Sequence, residues 1–241
     1  MLFFLPGSVA TAQYRQVPIL CYHQVRYWKT KDSRRDKAYI IPPAAFEAQM
    51  KMLSDSGYHA ILPDELYDYL KTGKPLPAKP VMLTFDDTNA DQFTAARPVL
   101  IKYGFKGVFF IITGKIGTHN WFMNTRQIKQ LSNEGNVIGC HTRDHTDFRH
   151  LKAAEWQIQV ADSKHEHELI TGKPVGYFAF PFGEWNREGL PELHRVGFKA
   201  AFALEQPRDA TYPLMTIRRI ITPGYWSPQE LDRHIKRDFR R

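Results

Sequence analysis

Short continuous apolar runs alternate along most of the chain with longer segments whose apolar residues recur at helical spacing. A continuous run indicates a strand covered on both faces, whereas spacing of three and four residues indicates a helix with one buried face. The pattern predicts strands at residues 17–22, 59–62, 81–85, 107–113, 137–140, 177–180 and 199–204. It predicts helices at residues 45–56, 64–70, 91–103, 124–134, 152–170 and 186–196, and from Ser227 onward, with 152–170 the longest.

This alternation predicts right-handed βαβ units and a mainly parallel sheet, either open or closed into a barrel. The carboxyl ends of parallel strands open on one face, where binding sites form. Polar residues follow the predicted strands at that face, namely His23, Asp86, Asp87, His141 and the turn 181–183. We therefore expect residues far apart in the sequence to form a single site.

Length and charge narrow the class of protein. At 241 residues the chain can bury one substantial core, and we expect a single domain over 13–241. The net charge is +8, but the basic residues are scattered except for a concentration at 29–37. We therefore expect no nucleic-acid partner, and instead a peripheral association with anionic polymers of the cell envelope.

The N-terminal segment resembles a secretory signal. An apolar stretch at 1–9 precedes Ala10, Thr11 and Ala12, which is the order of a signal core and its cleavage site, although the basic start is missing. We interpret residues 1–12 as a signal-peptide remnant, with a terminal strand as the alternative, and expect a secreted, periplasmic or cell-envelope protein. Cys21 and Cys140 each end an apolar run, so we expect buried thiols rather than a disulfide.

Two aspartates and two histidines are the strongest chemical signal. One carboxylate with two imidazoles four residues apart, His141 and His145, forms a metal-ligand set with open coordination positions. Asp86 and Asp87 are adjacent, so one can bind the metal while the other acts as a base toward its water. An oxygen-activating iron site is the alternative, but it would not need the second carboxylate. The pattern favours a metal-dependent hydrolase.

Three motifs in order resemble the signatures of the polysaccharide deacetylase family. They are the Thr-Phe-Asp-Asp run at 84–87, the two histidines of 141–145, and the Phe-Ala-Phe-Pro-Phe-Gly run at 178–183. The resemblance spans roughly 17–223 and implies an α/β fold, a distorted and incomplete (β/α) barrel. It also implies that Asp86 is the catalytic base, and that Asp87, His141 and His145 bind one divalent ion. Zinc is the first choice for that ion, with cobalt, nickel or iron as alternatives.

The chain departs from the common family plan in two places. Ala179 stands where many members have an arginine that orients the base, and Arg218 or Arg219 could replace it; we choose Arg219. The usual C-terminal histidine is also missing. His23, at the end of the first strand, resembles the general acid of the circularly permuted poly-N-acetylglucosamine deacetylases, with a strand-end hydrogen bond as the alternative role.

The implied reaction removes an N-acetyl group from an N-acetylglucosamine-containing polysaccharide or oligosaccharide, which is the expected partner. A backbone N–H near Pro181, Phe182 and Gly183 would stabilise the oxyanion, and Trp121 and Trp185 would stack on sugar rings. Two alternatives remain open. The same metal site could serve an O-acetyl esterase or a non-sugar amidase, or the chain could be a degenerate carbohydrate-binding protein.

Overall fold

The computed structural model describes residues 16–239. Within them, strands and helices alternate along the chain. The strands are β1 (Ile19–Tyr22), β2 (Gln24–Val25), β3 (Ile40–Ile41), β4 (His59–Ala60), β5 (Pro80–Asp86), β6 (Val108–Ile111), β7 (Val137–Cys140), β8 (Tyr177–Ala179), β9 (Ala200–Ala203), β10 (Ile217–Arg218) and β11 (Ile220–Ile221). The α-helices are α1 (Arg34–Tyr39), α2 (Pro43–Asp55), α3 (Pro63–Thr72), α4 (Arg97–Lys102), α5 (Thr125–Asn133), α6 (Ser163–Thr171), α7 (Leu190–Arg195) and α8 (Pro228–Asp238).

The main sheet is parallel and nearly closed on itself. Its strand order is β10-β9-β8-β7-β6-β5-β1-β11, with β4 paired to the start of β5. The two strands at opposite ends of this order, β10 and β11, are separated in the chain by Arg219 alone. The sheet must therefore curl until its ends meet, and the predicted α/β fold with a distorted, incomplete (β/α) barrel is confirmed.

The strands are apolar on both faces because one face lines the barrel interior and the other contacts the helices. All residues of β1, β6 and β9 are buried. The rings of Phe85 and Phe109, on neighbouring strands, are stacked with their centroids 4.8 Å apart. Continuous burial of this kind explains why the strands read as unbroken apolar runs in the sequence.

Two predicted helices differ from the structure in the same way. The segment predicted at 91–103 is π-helical over Gln92–Ala96 and becomes α-helical only at Arg97, where Pro98 falls in the first turn. The segment predicted at 152–170 contains the π-helical stretch Gln157–Asp162 before α6, so α2 is the longest α-helix described. The helix predicted at 186–196 begins only at Leu190.

The sequence pattern missed α1 and the short strands β2, β3, β10 and β11, which are too short to show a period. It located the starts of α5 and α8 correctly, because Asn124 and Ser227 form the expected capping boxes. Cys21 and Cys140 are buried free thiols, as predicted. His167, on α6, is fully buried.

The signal-like segment 1–12 lies outside the described residues, so the expectation of export stays a prediction. Between residues 16 and 239, no helix has both the length and the apolar character required to cross a membrane.

Candidate active site

A cleft of about 380 Å³ opens at the carboxyl ends of the barrel strands. Side chains from the end of β5, from α1 and from the segments after β1, β7, β8 and β9 meet there. The lining residues are His23, Arg35, Tyr39, Asp86, Asp87, His141, His145, Phe182, Gly183 and Leu204. The structure therefore brings together the predicted base, ligand and general-acid residues, which come from three separate parts of the sequence.

Asp86 is the last residue of β5 and is 2% exposed. Arg219 donates one hydrogen bond to each of its carboxylate oxygens, both at 2.8 Å, and a third to the hydroxyl of Thr84 at 3.1 Å. The thiol of Cys21 also donates to Asp86, at 3.5 Å. Arg219 thus holds Asp86 as we expected of the arginine that is missing at position 179. Arg218 does not, because it donates to the carbonyl of Asp238.

The charge state of Asp86 follows from two opposing effects. Burial by itself raises the pKa of this carboxyl, but the guanidinium of Arg219, together with His141, more than compensates and lowers it below its ordinary value. Asp86 is therefore ionised at neutral pH, as a base must be. Burial raises the pKa of the Cys21 thiol, so Cys21 remains a neutral donor.

Asp87 turns away from Asp86 because its backbone adopts a φ of 81°, in the left-handed region. This conformation costs energy in a non-glycine residue and is typical of functional sites. It directs Oδ1 of Asp87 to 3.5 Å from Nε2 of His141 and 3.4 Å from Nε2 of His145. His145 also has a positive φ, of 60°. Two of the three candidate metal ligands, Asp87 and His145, therefore have left-handed backbone conformations.

The three residues fit a divalent metal ion. Zinc bonds of about 2.0–2.2 Å in a tetrahedron place neighbouring ligand atoms about 3.3–3.6 Å apart, which matches the two measured separations. Oδ1 of Asp87 is buried and has no hydrogen-bond partner among residues 16–239. A buried carboxylate oxygen without a donor is expected where a cation binds.

The two histidines are oriented for metal binding but differ in charge preference. Burial lowers the pKa of His141, but the carboxylates of Asp86 and Asp87 more than offset this and raise it above its ordinary value. Nδ1 of His141 lies 2.8 Å from the carbonyl of Ala179, so it carries the proton and leaves the Nε2 lone pair toward Asp87. For His145, burial and the neighbouring His141 ring lower the pKa to about 4, so its ring is neutral at pH 7. A second group of possible ligands consists of Cys21, His23 and Asp86. This group is unsuited to a metal, because Arg219 already donates to both carboxylate oxygens of Asp86.

His23 follows β1 and faces the cleft from the strand next to β5. A ring nitrogen lies within 4.8 Å of a carboxylate oxygen of Asp86. Its ring meets that of Tyr39 edge-on, with centroids 4.9 Å apart, and its buried Nδ1 has no partner among the described residues. The strand-end hydrogen bond that was the alternative role for this imidazole is therefore not formed in the described chain.

The turn after β8 forms another wall of the cleft. Phe182 has a φ of 62° and Gly183 a φ of 73°, and the ring of Phe182 contacts that of His145 at 4.5 Å. A Cβ on Gly183 would lie 2.4 Å from Leu204, so only glycine fits. The N–H of Gly183 is bonded to the carbonyl of Phe180, and Pro181 has none, which leaves the N–H of Phe182 as the donor of the turn.

Two predicted stacking residues lie outside the cleft. Trp121 is 61% exposed, and its ring stacks on His119 instead. Trp185 packs against the apolar cluster around Phe148. Tyr39 and Phe182 are the aromatic rings that the cleft itself offers.

Sequence reasoning missed two further residues. Arg35 lines the cleft and belongs to the basic concentration at 29–37, which was a usable signal. Gln92 is buried, and its side-chain amide donates to the carbonyls of His23 at 2.9 Å and Asp86 at 2.5 Å. No pattern in the sequence marks a glutamine for such a role.

The family follows from this geometry together with comparison to known proteins. The family model named polysaccharide deacetylase matches residues 73–201, which include Asp86, Asp87 and both candidate histidine ligands. The chain belongs to the polysaccharide deacetylase family and is a hydrolytic enzyme of that family.

Three relatives define the likeness more closely. YxkH of Bacillus subtilis, named as a polysaccharide deacetylase, is 32% identical over 220 residues, covering 90% of this chain and 75% of YxkH. The poly-β-1,6-N-acetyl-D-glucosamine N-deacetylase of Staphylococcus aureus is 28% identical over 208 residues, covering 78% and 71%. The solved structure of the Streptococcus pyogenes deacetylase PplD in complex with acetate is 26% identical, with a TM-score of 0.82, covering 91% and 98%.

Proposed function

We propose that the chain hydrolyses the N-acetyl group of an N-acetylglucosamine-containing polysaccharide or oligosaccharide, using one divalent ion held by Asp87, His141 and His145. The observation that carries this proposal is the pair of adjacent aspartates with different partners. Asp86 is held by Arg219, whereas Asp87 faces two imidazole nitrogens at zinc-ligand spacing.

Asp86 is the general base. Its lowered pKa keeps it ionised, and Arg219 fixes both of its oxygens, so it can accept a proton in one defined orientation. An ion at the three ligands would supply polarisation of the acetyl carbonyl and a water of lowered pKa. Zinc fits the mixed nitrogen and oxygen ligands, and cobalt, nickel or iron would fit the same set.

His23 is the general acid that delivers a proton to the departing amine. Its ring faces the cleft beside Asp86, and its Nδ1 is not bound to another described protein group. The N–H of Phe182 donates to the oxygen that becomes negative during hydrolysis. Tyr39, which contacts His23, and Phe182, which contacts His145, offer flat apolar surfaces for sugar rings.

Poly-β-1,6-N-acetyl-D-glucosamine is what one relative's name says it deacetylates, which supports an acetylated amino-sugar polymer as the partner here. The signal-like segment 1–12 supports a secreted, periplasmic or cell-envelope location as part of this proposal.

Metal content and acetate release test the proposal together. The purified protein should hold about one zinc per chain and release acetate from N-acetylglucosamine oligomers. Asp86→Asn should keep the metal and lose activity by about three orders of magnitude, whereas His141→Ala and His145→Ala should lose the metal. His150→Ala, at an exposed position that does not line the cleft, is the control.

Unchanged metal content in both ligand variants would overturn the metal site. Acetate release from O-acetylated xylan but not from amino sugars would instead assign the site to an esterase. Binding of oligosaccharide without release of acetate from any substrate would indicate a degenerate site.

A further inference from the structure

One wall of the cleft is built by α1, which carries three basic side chains with different surroundings. The guanidinium of Arg34 lies 5.5 Å from the ring centre of Tyr225, and the ammonium of Lys37 lies 5.0 Å from that of Trp28. These two cations rest on aromatic faces outside the cleft. Arg35 is the one that lines the cleft with Asp86 and Asp87.

Arg35 has no carboxylate partner among residues 16–239. The acids of its own segment are engaged elsewhere, because Asp32 pairs with Arg26 and Asp36 caps α1 through Ser33. In the cleft, both oxygens of Asp86 are bound to Arg219.

The segment that carries Arg35 is firmly anchored. Ser33 and Asp36 form a capping box at the start of α1, and the carbonyl of Lys37 accepts from the N–H of Gly224 at 3.0 Å. The indole of Trp28 donates to the carbonyl of Ile40 at 2.7 Å. A Cβ on Gly224 would lie 1.9 Å from that same carbonyl oxygen, so the two segments pack closely and only glycine fits at this position. The wall is therefore preorganised, and little ordering is needed when a ligand binds it.

We propose that Arg35 binds an anionic oxygen group of the substrate, a carboxylate or a phosphate, on the sugar next to the one that is deacetylated. The substrate class is then an anionic glycan that contains N-acetylated amino sugars. A guanidinium presents two parallel N–H groups that match such oxygens, whereas a neutral glycan gives an unpaired cation no comparable partner. This assignment rests on the proposed deacetylase function.

The test compares oligosaccharides of equal length that differ in one charge. The neutral substrate is an N-acetylglucosamine tetramer. The carboxylate substrate alternates N-acetylglucosamine with a lactyl-ether-bearing amino sugar, and its methyl ester is the matched uncharged form. A phosphate-bearing tetramer separates phosphate from carboxylate. The variants are Arg35→Gln and Arg35→Lys, with Arg34→Gln as the control that removes the same charge from the same helix.

We expect the wild type to prefer one anionic substrate, and Arg35→Gln to lower kcat/KM for it about tenfold while changing the neutral substrates less than about twofold. Arg35→Lys should retain part of the preference, because it keeps the charge and loses the paired geometry. Arg34→Gln should leave the preference intact. Equal losses on charged and uncharged substrates, or no wild-type preference for either anion, would overturn the assignment.

Binding separates this result from a failure of the deacetylase proposal. If no substrate releases acetate, calorimetric affinities of the carboxylate oligosaccharide and its methyl ester still report on Arg35. A weaker affinity for the acid in Arg35→Gln alone would support the anion site, and equal affinities in wild type and variant would exclude it.

Discussion

The adjacent residues Asp86 and Asp87 have different partners because the backbone directs their side chains apart. Asp86 completes β5 and points at Arg219, whereas Asp87 enters the left-handed region and points at two histidines. The sequence predicted this division in kind, since successive side chains at a strand end diverge. The roles of the two carboxylates came from the family resemblance, because an adjacent pair of aspartates does not show which one faces an arginine.

His167 provides a prediction at the residue scale. Both of its ring nitrogens are buried without a partner among the described residues, and burial lowers its pKa to about 3. Because the unfolded chain protonates near pH 6.5, the stability that a neutral His167 contributes is present above that pH and is lost as the pH falls toward 3. The slope for one proton is about 1.4 kcal/mol per pH unit.

We therefore expect His167→Leu to raise the free energy of unfolding at pH 7 by about 1 kcal/mol. It should also remove this part of the loss between pH 6.5 and 4. Urea unfolding at a series of pH values measures both effects. His165→Leu, exposed on the same helix, is the control. Parallel pH curves for His167→Leu and the wild type would contradict the prediction.

At the scale of elements, the π-helical segment Gln92–Ala96 positions the site. It follows β5 after a tight loop, and its first residue, Gln92, donates to the carbonyls of His23 and Asp86. One side chain therefore fixes the ends of β1 and β5 relative to each other. Local widening of a helix by one residue is common at functional sites.

Replacing Gln92 by leucine should disturb catalysis more than metal binding. Two carbonyls would lose a shared donor, so His23 and Asp86 would no longer be held in register, and we expect kcat to fall about tenfold. Metal content should stay at the wild-type value, because the side-chain hydrogen bonds of Gln92 go to His23 and Asp86 and not to the candidate ligands Asp87, His141 and His145. Steady-state kinetics and metal analysis measure this, with the exposed Gln130→Leu as the control. Loss of the ion in Gln92→Leu would show that the segment supports the metal site instead.

Elements also show where prediction from the sequence ended. Apolar periodicity located the long strands and the capped helices, because burial of a face dictates the residue pattern. It did not show the breaks before α4 and α6, since a helix that widens for one turn keeps nearly the same apolar spacing. Trp121 and Trp185 were expected at the cleft because they lie in loops on the correct face, but a loop residue can turn toward solvent or toward the core.

At the scale of the whole molecule, the barrel closes through one residue. β10 and β11 lie at opposite ends of the strand order and are joined by Arg219, whose fully buried side chain reaches Asp86 on β5. The alternation of strands and helices indicated a parallel sheet and left it open whether the sheet closes, whereas the incomplete barrel was implied by the family resemblance. Closure depends on pairing between residues far apart in the chain, which no local pattern encodes.

The closure of the barrel between β10 and β11, at Arg219, should therefore link the free energy of unfolding to the charge of the catalytic base Asp86. Arg219→Met would leave the carboxylate of Asp86 buried without its partner, and we expect a loss of about 3–5 kcal/mol in the free energy of unfolding. The double variant Asp86→Asn with Arg219→Met removes both charges and should recover most of that loss. Arg218→Met is the control. The Arg218 side chain lies against the ring of Phe239 and not against Asp86, so this change should lower the free energy of unfolding far less. Urea unfolding of the wild type, the single variants Asp86→Asn and Arg219→Met, and the double variant completes the double-mutant cycle. If the double variant were no more stable than Arg219→Met, the ion pair would not be the contact that holds the closed barrel together at this point.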